Sequence, residues 1–268
     1  FVARSGLVFP DFGQNLDQYL VDFGPGDVPK GWAVYASVDH GLNNPTAWLW
    51  HAVSPSGDIV TFAEHYQSNM IVSEHAQLVK QRELSWGRKP DSVERMGDPA
   101  MRQRSGITGT SIIQEYALHG VYVNVEGIPH DVMVGIEKMQ AYLRLRDDTR
   151  WGKNRPKWVI SRNCINFIRE MKKLRWGSYN SDKMAYQMNK QEVVHKKDDH
   201  AFDSARYFAT TRPDLTPFVE AKGDEEPPTT LRYEELLLKM REDPNVEFAE
   251  DRADNDGPTV IAEYGDYY

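Results

Sequence analysis

The segment KKDDHAFDSARYFA, Lys196 to Ala209, contains the residues of this sequence that are best suited to chemistry. It places three aspartates and one histidine within six residues and then continues as a mostly apolar, helix-like run. Asp199 and Asp203 are spaced i, i+4, and His200 and Asp203 are spaced i, i+3, so both pairs can project from one face near the start of a helix. Clustered carboxylates raise one another's pKa unless a cation is present, and oxygen ligands favour Mg²⁺ or Mn²⁺ over zinc. The segment therefore predicts a divalent-metal site.

Two further aspartates follow predicted strands. Asp39 ends the strand in WAVYASVDHG, and Asp98 ends the strand in VERMGDP. If these strands are parallel neighbours, the two carboxylates lie side by side at one edge of the sheet. Two metal ions held about 3.5–4 Å apart at such a site activate water and stabilise the leaving oxygen of a phosphodiester. The pattern therefore predicts metal-dependent phosphodiester hydrolysis.

Each aspartate also has a plainer interpretation. Asp39 before His-Gly and Asp98 before Pro are typical turn or cap residues. Asp198 or Asp199 can cap the helix that follows, where negative charge is favourable in its own right.

The alternatives for the helix residues concern ion pairing. Asp203 lies one turn inside a helix whose apolar stripe is Phe202, Ala205, Phe208 and Ala209, and a buried carboxylate needs a partner. A salt bridge to Arg206, three residues on, would supply one without any metal. His200 is either a surface histidine or a group that binds metal or orients water.

The surrounding sequence predicts the elements that position these residues. Three antiparallel strands joined by hairpins come first, in WAVYASVDHG, TAWLWHAV and DIVTFAEHY, with SPSG as a turn. Helices and strands then alternate: SEHAQLVKQREL (helix, Ser73 as N-cap), VERMGDP (strand), TSIIQEYALHG (helix), VYVNVE (strand), HDVMVGIEKMQAYLRL (helix), KWVIS (strand) and NCINFIREMKKLRWG (helix). This order predicts an α/β fold with a mixed β-sheet flanked by helices on both faces and with its chemistry at the carboxyl ends of the strands.

Composition and charge narrow the class of protein. The single cysteine, Cys164, rules out an internal disulfide and a thiolate-rich zinc site. No apolar run reaches about 18 residues and no signal-peptide pattern is present, so we expect a soluble, intracellular protein. There is no GxxxxGK[ST] phosphate loop. The 49 residues from Glu220 onward carry 15 acidic and 5 basic side chains, which leaves 25 acidic and 27 basic in the rest of the chain. The near-neutral body is therefore compatible with a nucleic-acid partner.

Three regions are predicted along the chain. Residues 1–31, with FGPGDVPKG, are interpreted as a lead-in or interdomain linker, and 32–212 as the main domain. Residues 213–268 form an acidic tail, interpreted as partly disordered or as a segment that docks on a partner. The chain begins with Phe rather than Met, which suggests a fragment or a processed product.

The order of several motifs resembles the nuclease domain of the large terminase subunit of tailed bacteriophages. The resemblance runs from Trp32 to Ala209 through VDHGLNNPTAWLW, ERMGDPAM, DVMVGIEKMQAYL, NCINFIREMKKLRW and, most specifically, the DDHxxDxxRY pattern. It implies a ribonuclease H-like fold that cuts concatemeric viral DNA during packaging with two divalent metals, Mg²⁺ or Mn²⁺, bound at three acidic positions. These positions correspond to Asp39, Asp98 and Asp203, with His200 beside the metals and Asp199 as a possible substitute ligand.

The resemblance also implies partners. It predicts double-stranded DNA as substrate, a portal protein docked by the tail, a small terminase subunit, an upstream packaging ATPase domain absent from this chain, and action in the host cytoplasm. Four cations near the proposed site in sequence are candidate contacts to the DNA backbone, Lys196, Lys197, Arg102 and Arg104.

Two alternatives remain open at this point. Another ribonuclease H-like enzyme, such as a junction resolvase or transposase, would cut specific structures or ends. A non-catalytic portal-docking module would show no metal-dependent activity, and its binding would be lost on deleting residues after Arg212.

Overall fold

The centre of the fold is a mixed β-sheet. The computed structural model describes residues 6–89, 92–106, 109–129, 131–177, 194 and 198–211. The described strands are β1 (Leu20–Val21), β2 (Ala33–Asp39), β3 (Thr46–Val53), β4 (Ile59–Gln67), β5 (Val93–Gly97) and β6 (Trp158–Ser161), in the sheet order β1-β6-β4-β3-β2-β5. β3 runs antiparallel to both β2 and β4, whereas β5 pairs in parallel with β2, β6 with β4, and β1 with β6. All strands except β3 therefore end at the same edge, which we call the carboxyl edge.

Helices cover both faces of the sheet, as predicted. They are α1 (Pro10–Gln14), α2 (Leu16–Tyr19), α3 (Val72–Ser85), α4 (Ile112–Leu118), α5 (Val132–Leu143), α6 (Ile165–Lys173) and α7 (His200–Thr211), with 3₁₀ turns at Pro25–Asp27 and Pro99–Arg102. One core packs α1, α5, α6 and α7 on the sheet, and a second packs α3 and α4 on the opposite face. Because β3 is covered on both sides, all eight of its residues are buried, which explains its continuous apolar run.

The predicted strands β2 to β6 and the helices α3 to α7 are present, with two local differences. Residues 121–126 do not form a strand, because Asn124 alone pairs with β5 while Val121, Val123 and Val125 point into the core. The helix predicted to begin after Ser73 starts at Val72, and the Glu74 side chain receives the backbone N–H of Ile71.

The segment predicted as a lead-in, residues 1–31, differs more. Its described part, 6–31, contains α1, α2 and the edge strand β1, whose Leu20 lies in register with Ile160 of β6. Val8, Phe12 and Tyr19 are buried in the same core as α7. This part of the chain is therefore packed into the domain and is not a linker, whereas the tail predicted at 213–268 lies outside the described residues. Among the described helices, none is long and apolar enough to cross a membrane.

Candidate metal centre

Two of the predicted site aspartates lie side by side at the carboxyl edge. β2 and β5 are parallel neighbours with Val38 opposite Gly97, so the residues that follow, Asp39 and Asp98, end adjacent strands. A Cβ atom at Gly97 would lie 2.8 Å from Cγ1 of Val38 and 2.9 Å from Sδ of Met101, so glycine is needed where the two strands meet. Oδ1 of Asp98 accepts a hydrogen bond from the backbone N–H of Ala100 (2.8 Å), which fixes this carboxylate at the start of a 3₁₀ turn.

Helix α7 brings the remaining acidic residues to the same edge. It packs across β2 and β3 through the predicted apolar stripe, all of which is buried: Phe202, Ala205, Phe208 and Ala209. Asp203 is 6% exposed and Asp199 is 8% exposed, so both carboxyl groups lie close to the protein interior. Nδ1 of His200 lies 2.9 Å from Oδ2 of Asp39, which joins the start of the helix to the end of β2.

The electrostatics show that the three aspartates share one neighbourhood. The pKa of Asp39 is raised to about 6, chiefly by burial and also by the charges of Asp203 and Asp98, while the hydrogen bond from His200 opposes the increase. The pKa of His200 is raised, chiefly by its hydrogen bond to Asp39 and against the effect of burial. Asp39 and His200 therefore form a hydrogen-bonded acid–base pair.

Asp203 makes the ion pair that its sequence context suggested. Nε of Arg206 donates to Oδ1 of Asp203 over 2.8 Å, and both side chains are buried. The arginine is fixed by its surroundings, because a Cβ atom at Gly135 of α5 would lie only 2.1 Å from its Cγ, and its guanidinium lies 4.5 Å from the ring centroid of Tyr207. The charge of Asp203 is therefore partly neutralised by a protein cation.

The donor atoms of these residues suit a hard divalent cation, but their side chains do not surround a common point. Their oxygen donors suit Mg²⁺ or Mn²⁺. One carboxylate oxygen of each aspartate is bound by a protein donor: His200 for Asp39, Ala100 for Asp98 and Arg206 for Asp203. Within the described residues, no three His, Cys, Asp or Glu side chains form a group that could hold a metal ion. The side chains are thus gathered at one edge but are not closed around one point.

The structure places only two of the four predicted DNA-contacting cations. Arg102 and Arg104 lie on the exposed segment that follows Asp98, and Arg102 pairs with Glu126 at 3.3 Å. Lys196 and Lys197 lie outside the described residues.

Glu170 is a site residue that the sequence did not reveal. It lies on the inner side of α6, is 1% exposed, and its Oε2 accepts the backbone N–H groups of Ala201 (2.7 Å) and Phe202 (3.0 Å). These are the N–H groups that a capping side chain at Asp199 would receive, so Glu170 supplies the cap of α7 from another helix. Burial raises the pKa of Glu170 to about 7, against these stabilising hydrogen bonds. No sequence pattern distinguishes it from a surface glutamate of an amphipathic helix.

A buried polar chain also holds α7 on the sheet. Ser204 bonds to Ser37 (2.9 Å), Ser37 to Nε2 of His51 (2.9 Å), and Nδ1 of His51 to Thr61 (2.9 Å), which accepts from Trp158 Nε1 (2.8 Å). Such a fully bonded chain specifies one position of the helix across four strands.

Three histidines form a second cluster near the site. Nε2 of His65 lies 2.9 Å from Nδ1 of His75, and the ring of His40 contacts both His75 and Tyr116. Burial lowers the pKa of His40 and of His65 to about 4, so these rings are neutral in the folded protein.

The sheet topology and the position of the aspartates together define the fold. A mixed sheet covered by helices on both faces, with aspartates at the ends of two adjacent parallel strands and on the helix that crosses them, is a ribonuclease H-like fold. No protein-family model and no curated protein sequence matches the chain.

Solved structures support this assignment of the fold. The large terminase of a thermophilic bacteriophage superposes with a TM-score of 0.56 at 19% identity over 78% of this chain, which spans 46% of that protein. The nuclease domain of the P22 large terminase superposes with a TM-score of 0.55 at 16% identity over 77% of this chain and 92% of that domain. A large terminase nuclease from the thermophilic phage G20c with bound cobalt has a TM-score of 0.49 at 11% identity over 76% of this chain and 96% of that chain. The chain thus has the fold of a large terminase nuclease domain.

Proposed function

We propose that this chain is a metal-dependent DNA endonuclease, the nuclease half of a large terminase. The observation that carries the proposal is the meeting of Asp39, Asp98 and the α7 residue Asp203 at one edge of a fold shared with the P22 nuclease domain. In this function the chain cuts concatemeric viral DNA during packaging, in the host cytoplasm. Its partners are a packaging ATPase domain, a small terminase subunit and a portal protein.

The aspartates would hold Mg²⁺ or Mn²⁺, with Asp199 as the alternative to Asp203. A pair of such cations held by these carboxylates would supply an activated water and positive charge to offset the charge that develops on the phosphodiester. Asp39 is ionised above pH 6 and can then bind a cation. His200 holds Oδ2 of Asp39 and so orients this carboxylate, and the hydrogen bond to Asp39 raises the pKa of His200, which favours its protonated form. Arg102, Arg104, Lys196 and Lys197 would contact the DNA backbone.

Plasmid cleavage tests the proposal. The wild-type chain is incubated with supercoiled plasmid in Mn²⁺, Mg²⁺ or EDTA, beside Asp39→Asn, Asp98→Asn and Asp203→Asn. Asp131→Asn is the matched control, because Asp131 is an exposed aspartate that caps α5 by accepting from Met133, a role that Asn also fills. We expect cutting with metal only, lost in the three site variants and kept in the control.

The outcomes separate the alternatives. Cutting that survives in Asp203→Asn alone would move the third ligand to Asp199. Cutting confined to branched junctions or to specific ends would indicate a resolvase or transposase. No cutting by the folded wild type with any metal would refute a self-sufficient nuclease and would favour a docking module.

A further inference from the structure

The outer face of α6 carries a row of positive charge. Phe167, Glu170 and Met171 point inward and are buried, whereas Arg169, Lys172, Lys173 and the following Arg175 are exposed. We call these four cations the α6 basic strip. The one carboxylate of this helix, Glu170, faces the interior, so no acidic side chain of α6 itself offsets the strip.

The strip differs from two other exposed arginines near the carboxyl edge, which are paired with carboxylates. Arg102 pairs with Glu126, and Arg162 pairs with Asp17 at 3.1 Å and with Asp22 at 3.5 Å. Within the part of the chain that the structure describes, no ion pair joins a member of the strip to a carboxylate; Arg169 lies over the ring face of Tyr66, 5.5 Å from its centroid. The charge of the strip is therefore directed at solvent or at an anionic partner.

The spacing of the strip suits a nucleic-acid backbone. From Arg169 to Lys173 the helix rises about 6 Å, and successive phosphates of one DNA strand advance about 3.4 Å along the duplex axis. Lysine and arginine side chains of this kind neutralise phosphates without reading base edges. The strip thus fits two or three phosphates of one strand.

The strip also lies beside the candidate metal centre. Glu170, adjacent to Arg169 in sequence, bonds the backbone of Ala201 and Phe202, directly after His200. Because a helix with its side chains is about 10 Å across, the outer face of α6 lies about one helix diameter from the start of α7. A duplex is wide enough to span both.

We propose that the α6 basic strip binds the phosphate backbone of duplex DNA and holds it against the carboxyl edge. The proposal rests on the proposed nuclease function and adds to it the surface that positions the substrate. The same helix then contacts DNA with its outer face and fixes α7 with its inner face through Glu170. The contact is independent of base sequence, since it is made to phosphates and not to base edges.

Salt-dependent DNA binding tests the strip. Binding of a fluorescein-labelled duplex is followed by anisotropy in EDTA, so that no strand is cut, from about 50 to about 200 mM NaCl, a range in which log K falls with log[salt] by about 0.9 per neutralised phosphate. Lys172→Gln combined with Lys173→Gln should make the slope shallower by about 2. The matched control is Arg144→Gln with Lys153→Gln, two exposed cations between α5 and β6, at the opposite edge of the sheet.

The outcomes distinguish the strip from the function on which it depends. A shallower slope in the α6 double variant and an unchanged slope in the control support the proposal. The wild type could bind and cut DNA while both double variants show the wild-type salt slope, or while both show an equally reduced slope. Either result would refute DNA binding by the strip and leave the proposed nuclease function intact. If the folded wild type neither binds nor cuts DNA, the proposed function fails first and the strip fails with it.

Discussion

Replacing Glu170 should detach α7 from α6. In Glu170→Leu the side chain keeps a similar size but loses the oxygen that accepts from Ala201 and Phe202, residues that are 0% and 1% exposed. Each buried N–H left without a partner costs about 1–3 kcal/mol. We therefore expect Glu170→Leu to lower the free energy of unfolding by about 2–6 kcal/mol, with loss of cleavage because His200 and Asp203 are carried by the same helix.

Glu170→Gln provides the matched comparison, because its amide oxygen can accept the same two bonds. Its effect depends on pH. The pKa of Glu170 is about 7 in the folded protein, above its ordinary value of 4.5, so folding favours the protonated form. This contribution to stability is complete below pH 4.5 and is lost as pH rises to 7, at about 1.4 kcal/mol per pH unit. Gln does not titrate. Relative to the wild type, the free energy of unfolding of Glu170→Gln should therefore rise by about 3 kcal/mol between pH 4.5 and 7.

Urea unfolding followed by tryptophan fluorescence at several pH values between 4.5 and 8 measures both effects. We expect a large loss of unfolding free energy for Glu170→Leu at every pH. Plotted against pH, the unfolding free energies of wild type and Glu170→Gln should converge or cross. A loss below about 1 kcal/mol for Glu170→Leu would refute the role of Glu170 as the cap of α7. Parallel curves for wild type and Glu170→Gln would refute the raised pKa of Glu170.

Three further predictions concern packing and pH. Gly135→Ala places a Cβ 2.1 Å from Cγ of Arg206 and should destabilise the fold by about 1–3 kcal/mol; an unchanged melting temperature would contradict the close packing of α5 on α7. His65 is neutral in the folded protein with a pKa of about 4, below its ordinary value of 6.5, so unfolding takes up a proton and stability falls as pH drops from 6.5 to 4. His65→Gln should flatten that fall in urea titrations, and an equally steep curve would contradict it. Metal-dependent plasmid cleavage should decline below about pH 6, where Asp39 is protonated; a rate that stays constant down to pH 5 would argue that Asp39 does not bind the metal.

The sequence predicted those parts of the fold that depend on local patterns. The apolar run Thr46–Val53 between polar turns gives β3 its bounds, and Asp39 and Asp98 could be placed together because parallel neighbouring strands end at one edge. The alternation in VYVNVE does correspond to burial, since every second residue, a valine, is buried. A strand also needs paired neighbours, however, and this segment pairs with β5 at Asn124 alone.

What the sequence could not predict depends on contacts between distant residues. Glu170 caps a helix 31 positions later in the chain, and an inward glutamate in an amphipathic pattern looks the same as an outward one until the helices are packed. Strand β1 has only two residues and pairs with β6 across 140 positions, so its apolar segment gave no strand signal of its own. Asp203 illustrates the remaining limit, because one buried carboxylate suits both an ion pair with Arg206 and a metal.

Binding of Mn²⁺, measured by the loss of its free-ion electron paramagnetic resonance signal, tests the central claim most directly. The account predicts that the wild type binds Mn²⁺ at pH 8 and more weakly at pH 5, that Asp39→Asn and Asp98→Asn lose binding, and that Asp131→Asn binds like the wild type. Equal binding by all four proteins, or none by the wild type at either pH, would contradict a metal centre at the carboxyl edge.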